Sequence, residues 1–194
     1  MVIGSIAEKH SKETSLHVRR VAFYSQLLGT YYGLPKHEVE MLRDASTLHD
    51  LGKIAIPDMI LNKREKLSDR EFEIIKSHTV YGYNMLKDSS LPLLQTAALI
   101  AYEHHERYDG SGYPRGIRGE EIHLYGRIVG LADVFDALSS ERIYKESWSD
   151  EEIFDYFRRE RGGHFDPKLI DIFFEHLDEF LEIRQRFEDL KNAA

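Results

Sequence analysis

TLHDLGKIAIPD, residues 47–58, closes a helical pattern that starts near Lys36, and Gly52 stands where a helix stop is expected. His49 and Asp50 are therefore read at the end of one helix. A single His-Asp pair has ordinary structural uses, such as a charge at a helix C-terminus or a satisfied buried hydrogen bond. Its weight depends on what the rest of the chain can bring to the same place.

Working outward, the periodicity is helical almost throughout. Val18, Val21, Ala22, Leu28 and Tyr31/Tyr32 recur at steps of three and four and mark one buried face. Ser68 with Glu71 forms a capping-box pattern that opens a helix through Phe72, Ile75, His78 and Leu86. Pro92 suits a first helical turn, and Leu94, Ala97, Ala98 and Ala101 lead to His104 and His105. A helix from about His123 to Leu138 carries Gly126 and Gly130, a spacing that lets another helix come close. Ser149 with Glu152 is a second capping-box pattern, and Asp166-Pro167 opens a long terminal helix. The one irregular stretch, 107–121, contains Gly110, Gly112, Gly116 and Gly119. A loop of that length inside a helical chain points to function. No useful strand alternation is present. The expected fold is an all-α bundle of one domain spanning 1–194, with a core over about 13–167 and a C-terminal helix beyond it.

Composition removes several classes. A chain of 194 residues with 42% hydrophobic and 31% charged residues is neither disordered nor fibrous. No apolar run has the length of a membrane span, and no signal-peptide pattern opens the chain. Without cysteine there is no disulfide and no thiolate metal site, and the cytoplasm is the expected compartment. A net charge of −8 argues against a broad surface for nucleic-acid polymers.

The ten histidines supply the chemistry. His17, His49, His78, His104 and Asp133 are spaced so that each falls on a different helix, beside an apolar stripe that faces inward. One ligand per helix at a common level is how bundle metal sites are built. Imidazoles and carboxylates without sulfur select iron, manganese, nickel or zinc, whereas calcium and magnesium prefer oxygen alone. Two ions joined by a carboxylate can activate a water toward phosphate esters. The structural alternative, buried and separately satisfied histidines, leaves several desolvated titratable groups without a shared role. Glu13 stands one helical turn before His17, so both project from one face.

The strings HDLGKIAIPD (49–58), KSHTVYG (76–82), HHERYDGSGYP (104–114) and RIVGLADVFDALSSERIYK (127–145) resemble the HD-GYP domain, a branch of the HD phosphohydrolase superfamily. The likeness runs from about Glu13 to GGHFDP at 162–167. It implies a helical bundle around two or three divalent transition-metal ions, iron first and manganese or nickel as alternatives. It also implies metal-activated hydrolysis of cyclic di-GMP to pGpG and onward to GMP. By the resemblance His49, Asp50, His78, His104 and Asp133 form the basic ligand set, with Asp50 as bridge. His17, Glu13 and His105 extend the set, and Glu13 accompanies a third ion. Lys53 would hold a phosphate oxygen or protonate the leaving group, while Arg142 and Lys145 would grip the substrate phosphate. Gly112 and Tyr113 would line the opening, with Tyr113 read as an exposed ring able to stack on a base. The same loop suggests GGDEF-domain proteins as partners. Relatives often carry an N-terminal regulatory domain, so this chain is read as a stand-alone enzyme or an excised domain. Arg64-Glu65 and Ile143 depart from the family pattern, which bears on loop shape rather than ligands. Two other readings stand beside the first: an HD phosphohydrolase for another cyclic dinucleotide or nucleotide, and a non-catalytic signalling module.

Overall fold

The computed structural model describes residues 15–63, 65–140 and 148–192. Among the described residues ten α-helices follow one another: α1 Ser15–Tyr32, α2 Lys36–Ser46, α3 Asp58–Leu61, α4 Asp69–Lys76, α5 His78–Leu86, α6 Pro92–Glu103, α7 Leu124–Ser139, α8 Asp150–Arg159, α9 Pro167–Glu175 and α10 Leu177–Asn192. Short 3-10 turns occupy Leu51–Ala55 and Gly119–Glu121. Among the described residues the only β-type pairing is the isolated bridge between Arg161 and Phe165, so the all-α expectation holds.

Four helices form a closed ring of neighbours, α1 beside α2, α2 beside α6, α6 beside α7 and α7 beside α1. Helix α5 packs on α6 and on the 51–55 turn, while α9 and α10 cover α1. An aromatic cluster fills part of the core. Phe135 meets Tyr24 at 5.0 Å and Phe173 at 5.1 Å between ring centroids, and Phe157 meets Phe173 at 4.9 Å. Each of these rings is fully buried and contributes roughly 2–3 kcal/mol of apolar transfer energy. Phe135 lies on the same turn of α7 as Asp133 and Asp136, so hydrocarbon and polar groups meet side by side in the core.

Both capping boxes form as read. Ser68 accepts from Glu71 N, Ser149 accepts from Glu152 N, and each glutamate returns a bond to its cap. Pro92 and Pro167 open their helices, the latter behind an Asp166 side chain that accepts from Lys168 N.

Three helices are shorter than the periodicity suggests. The helix expected to run from Lys36 to Leu51 ends at Ser46, because Ser46 and Thr47 turn their hydroxyls back onto Arg43 O and Asp44 O. The helix expected from Ser68 to Leu86 breaks at Ser77. There Ser77, His78 and Thr79 bond back to the carbonyls of Ile74, Ile75 and Lys76. The long terminal helix divides at His176. In a straight helix Phe173 and Phe180 would stand about 10 Å apart along the axis, whereas the break brings their rings to 4.8 Å in the core.

Gly52 is not a helix stop. A Cβ there would lie 1.9 Å from His78 O and 2.5 Å from Gly82 N, so its hydrogen is what lets the 51–55 turn rest on α5. Gly126 and Gly130 serve as expected, since Cβ atoms would reach the Glu103 side chain at 2.8 Å and His104 O at 2.6 Å. Gly52→Ala is therefore expected to cost about 3 kcal/mol, or roughly 6–12 °C in Tm. Gly163→Ala, whose nearest neighbour would lie at 3.5 Å, should stay within about 1 kcal/mol. Thermal unfolding of the two variants checks the contrast.

Candidate metal centre

Three histidines sit where helices end. His49 lies in the turn after α2, His78 follows the break after α4, and His104 caps α6. In each, Nδ1 donates to a carbonyl of the preceding turn: Ser46 O at 2.8 Å, Ile75 O at 2.6 Å and Ala101 O at 3.1 Å. A carbonyl can only accept, so the proton is on Nδ1 and the lone pair is on Nε2. The same bonds add an acceptor contact at carbonyls in the last turns of these helices, where intrahelical partners run out. One interaction thus selects a tautomer and aims a nitrogen lone pair.

The aimed atoms converge on Asp50. His78 Nε2 and His104 Nε2 approach its Oδ1 at 3.1 and 3.7 Å, while His49 Nε2 approaches Oδ2 at 3.2 Å. On the other side, Asp133 Oδ1 lies 3.5 Å from His17 Nε2 and 3.9 Å from His49 Nε2. Two groups of donors result, Asp50–His78–His104–His105 and His17–His49–Asp133, each compact enough to surround one ion. The two oxygens of Asp50 face different groups, which is the placement a bridging carboxylate needs. Burial alone would raise the Asp50 pKa, but Lys53, then His49 and His104, hold it well below the usual carboxylate range. Burial pushes the His104 imidazole down and the His105 imidazole further down, so both stay neutral and able to ligate.

The residues fit divalent ions on chemical grounds. Asp50 Oδ1, His78 Nε2 and His104 Nε2 are buried and make no hydrogen bond of good geometry among the described residues. Left so, each carries a desolvation cost that a cation among them would remove. The donors are nitrogen and oxygen only, which suits the transition metals named above.

His17 is oriented differently, from α1. Its Nδ1 donates to Asp136 Oδ2 at 2.7 Å, and the same carboxylate is held by Arg20, whose Nη2 lies 2.9 Å from Oδ2 and also from Ser140 Oγ. Burial would raise Asp136, but the bonds from His17 and Arg20 outweigh it and keep it ionised. Neither Asp136 nor Arg20 was among the residues read from the sequence. The signal was present, since Asp136 follows Asp133 by one turn of α7 and Arg20 follows His17 by one turn of α1.

Lys53 sits beside the bridge, with Nζ 2.6 Å from Asp50 Oδ2. Tyr113 is not the exposed plate expected. Its half-buried ring is stacked on His105, 4.8 Å between centroids, and burial together with Asp50 raises its hydroxyl pKa. Gly112 is required by packing: a Cβ would meet Arg107 N at 2.3 Å. Glu13, Arg142 and Lys145 lie outside the described residues, as do Ile143 and Arg64.

The family model of the HD domain matches residues 1–169. The chain belongs to the HD domain family. This agrees with the likeness to the HD-GYP branch read from its strings. Over 187 residues, 96% of this chain, it is 46% identical to a 3'3'-cGAMP-specific phosphodiesterase of Vibrio cholerae, of which it spans 36%. Over 158 residues it is 47% identical to a cyclic di-GMP phosphodiesterase response regulator of Xanthomonas campestris, covering 81% of this chain and 42% of that protein. A cyclic di-GMP phosphodiesterase of Thermotoga maritima is 39% identical, with 97% and 51% covered. The HD domain described here thus spans about a third to a half of these curated relatives. Among solved structures, a cyclic GMP-AMP phosphodiesterase of V. cholerae superposes with a TM-score of 0.68 at 20% identity, covering 97% of this chain and 52% of that one, a likeness of fold.

The carboxylate behind His17 can be tested apart from catalysis. Asp136→Asn keeps the volume but removes the charge that steadies the imidazole. Its affinity for Mn²⁺ is expected to fall about 10–100-fold, read by equilibrium dialysis against the parent protein.

Proposed function

We propose that this chain is a metal-dependent phosphodiesterase of cyclic dinucleotides, with cyclic di-GMP as substrate. The observation that carries the reading is Asp50, whose two oxygens serve two adjacent donor groups. Divalent ions bound there, iron being our first assignment, supply activation of water and neutralisation of charge at the phosphate.

The chain's own groups do the rest. Asp50 keeps the two donor groups in register, and its ionisation at neutral pH is secured by Lys53. Lys53, on the edge of the same space, provides a proton or hydrogen bond for the departing 3′ oxygen. Arg142 and Lys145 act as phosphate grips by the family likeness, the guanidinium fork matching two phosphate oxygens. Tyr113, lying on His105, walls the opening together with Gly112. The first product is pGpG. Glu13, four residues before His17 in the sequence, supports a third ion and with it the onward step to GMP. The neighbouring reading, 3'3'-cGAMP as the preferred substrate, is favoured by the 46% identity to the V. cholerae phosphodiesterase. A GGDEF-domain protein at the loop and an N-terminal regulatory domain belong to the same proposal for the whole protein.

Purified protein with measured metal content is to be given cyclic di-GMP, 3'3'-cGAMP and cyclic di-AMP in parallel. Turnover is expected to be fastest on cyclic di-GMP, and Asp50→Ala should abolish it while emptying at least one metal position. An intact turnover and metal count in that variant would overturn the bridge assignment. A separate time course on Glu13→Gln is expected to show slower opening of the ring and accumulation of pGpG, with fewer ions per chain. Parental product ratios and metal count would remove Glu13 from the ligand set. Arg142→Ala and Lys145→Ala are each expected to raise KM about tenfold or more at full metal content, as loss of a charge-assisted phosphate contact implies.

A further inference from the structure

The segment Tyr102–Glu106 faces two ways. His104 and His105 join the donor group around Asp50. Their neighbours hold the glycine loop. Glu106 Oε1 accepts from Arg115 N at 2.8 Å, and Glu103 accepts from His123 N at 2.6 Å and pairs with the Arg115 guanidinium. That guanidinium lies over the Tyr102 ring at 4.9 Å. His105 takes part on both sides, because its carbonyl accepts from Tyr113 N at 3.1 Å and its ring carries the Tyr113 ring.

Glu103 and Glu106 are 5% and 6% exposed, and neither contacts the donor atoms as a ligand would. Two buried acids beside two ligand histidines need a function, since an acid is rarely buried without one. The outer part of the loop is anchored elsewhere. Tyr108 N and Asp109 N bond to His164 O and Gly163 O, and Gly119 N bonds to Tyr108 O. What depends on Glu106 is the inner tip that bears Tyr113.

We propose that Glu106 is a positioning residue, whose carboxylate fixes the Arg115 backbone and so keeps Tyr113 on His105 at the mouth of the metal centre. The consequence for substrate rests on the phosphodiesterase reading above; the clamp itself does not. A large cyclic dinucleotide needs the wall, whereas a small diester reaching the donors directly does not.

Three measurements on Glu106→Ala and Glu106→Gln test this. In the first, limited trypsin digestion is followed at Arg115 and Arg118, both exposed on the loop. Glu106→Ala is expected to be cut there about tenfold faster than the parent, whereas Glu106→Gln, whose amide oxygen still accepts from Arg115 N, should resist like the parent. In the second, KM for cyclic di-GMP is expected to rise about tenfold in Glu106→Ala with kcat within about threefold, and to return toward the parent in Glu106→Gln. In the third, metal content and turnover of bis(p-nitrophenyl) phosphate should stay within about twofold of the parent. Unchanged digestion in Glu106→Ala would overturn the clamp. Faster digestion with an unchanged KM would overturn its link to substrate. Parallel loss on both diesters with loss of metal would show a merely structural acid and overturn the positioning role. A parent protein that turns over the small diester but no cyclic dinucleotide would sink the substrate reading, and the digestion would still decide the clamp.

Discussion

The bond from a histidine Nδ1 to the carbonyl of the preceding helical turn is the interaction on which this molecule depends. Made at His49, His78 and His104, it gives three imidazoles a fixed tautomer and turns their Nε2 atoms toward Asp50. Each helix C-terminus also carries partial negative charge, so the ends of α2, α4 and α6 favour a cation near the atoms they support. The aromatic cluster in the core supplies apolar burial that can offset the desolvation of so many polar groups.

His17 completes the centre by another route. Its partner is a carboxylate on another helix rather than a carbonyl of its own turn. Asp136 takes the role, and Arg20 keeps Asp136 charged. The pairing joins α1 to α7 across the bundle, so the orientation of one imidazole is tied to the packing of two helices that contact each other along the ring.

Much of this was legible in the sequence, and the limits have physical causes. Helix type, both capping boxes and the close approach at Gly126 and Gly130 follow from local patterns that tertiary contacts reinforce. The donors that the fold brings together around Asp50 and Asp133 could be listed because each falls near a helix stripe. The breaks at Ser46, Ser77 and His176 could not be read from periodicity, since apolar residues recur at helical spacing on both sides of each. Side chains bonding back to carbonyls decide the first two, and core packing decides the third. Tyr113 was read as exposed because glycine-rich loops lie at surfaces. The buried acids Glu103 and Glu106 draw this loop inward, and only the fold brings them to Arg115 and His123. Asp136 was overlooked because a second aspartate on a helix reads as ordinary charge until its partner on another helix is known.

The carbonyl locks at His49, His78 and His104 have one further consequence, for exchange. Ligands held by the backbone stand ready before any ion arrives, so occupancy can turn over without the helices moving. Such a rigid nitrogen and oxygen pocket follows the general affinity order, in which zinc and copper outrank iron and manganese. An ion held there would then be chosen by supply as much as by affinity.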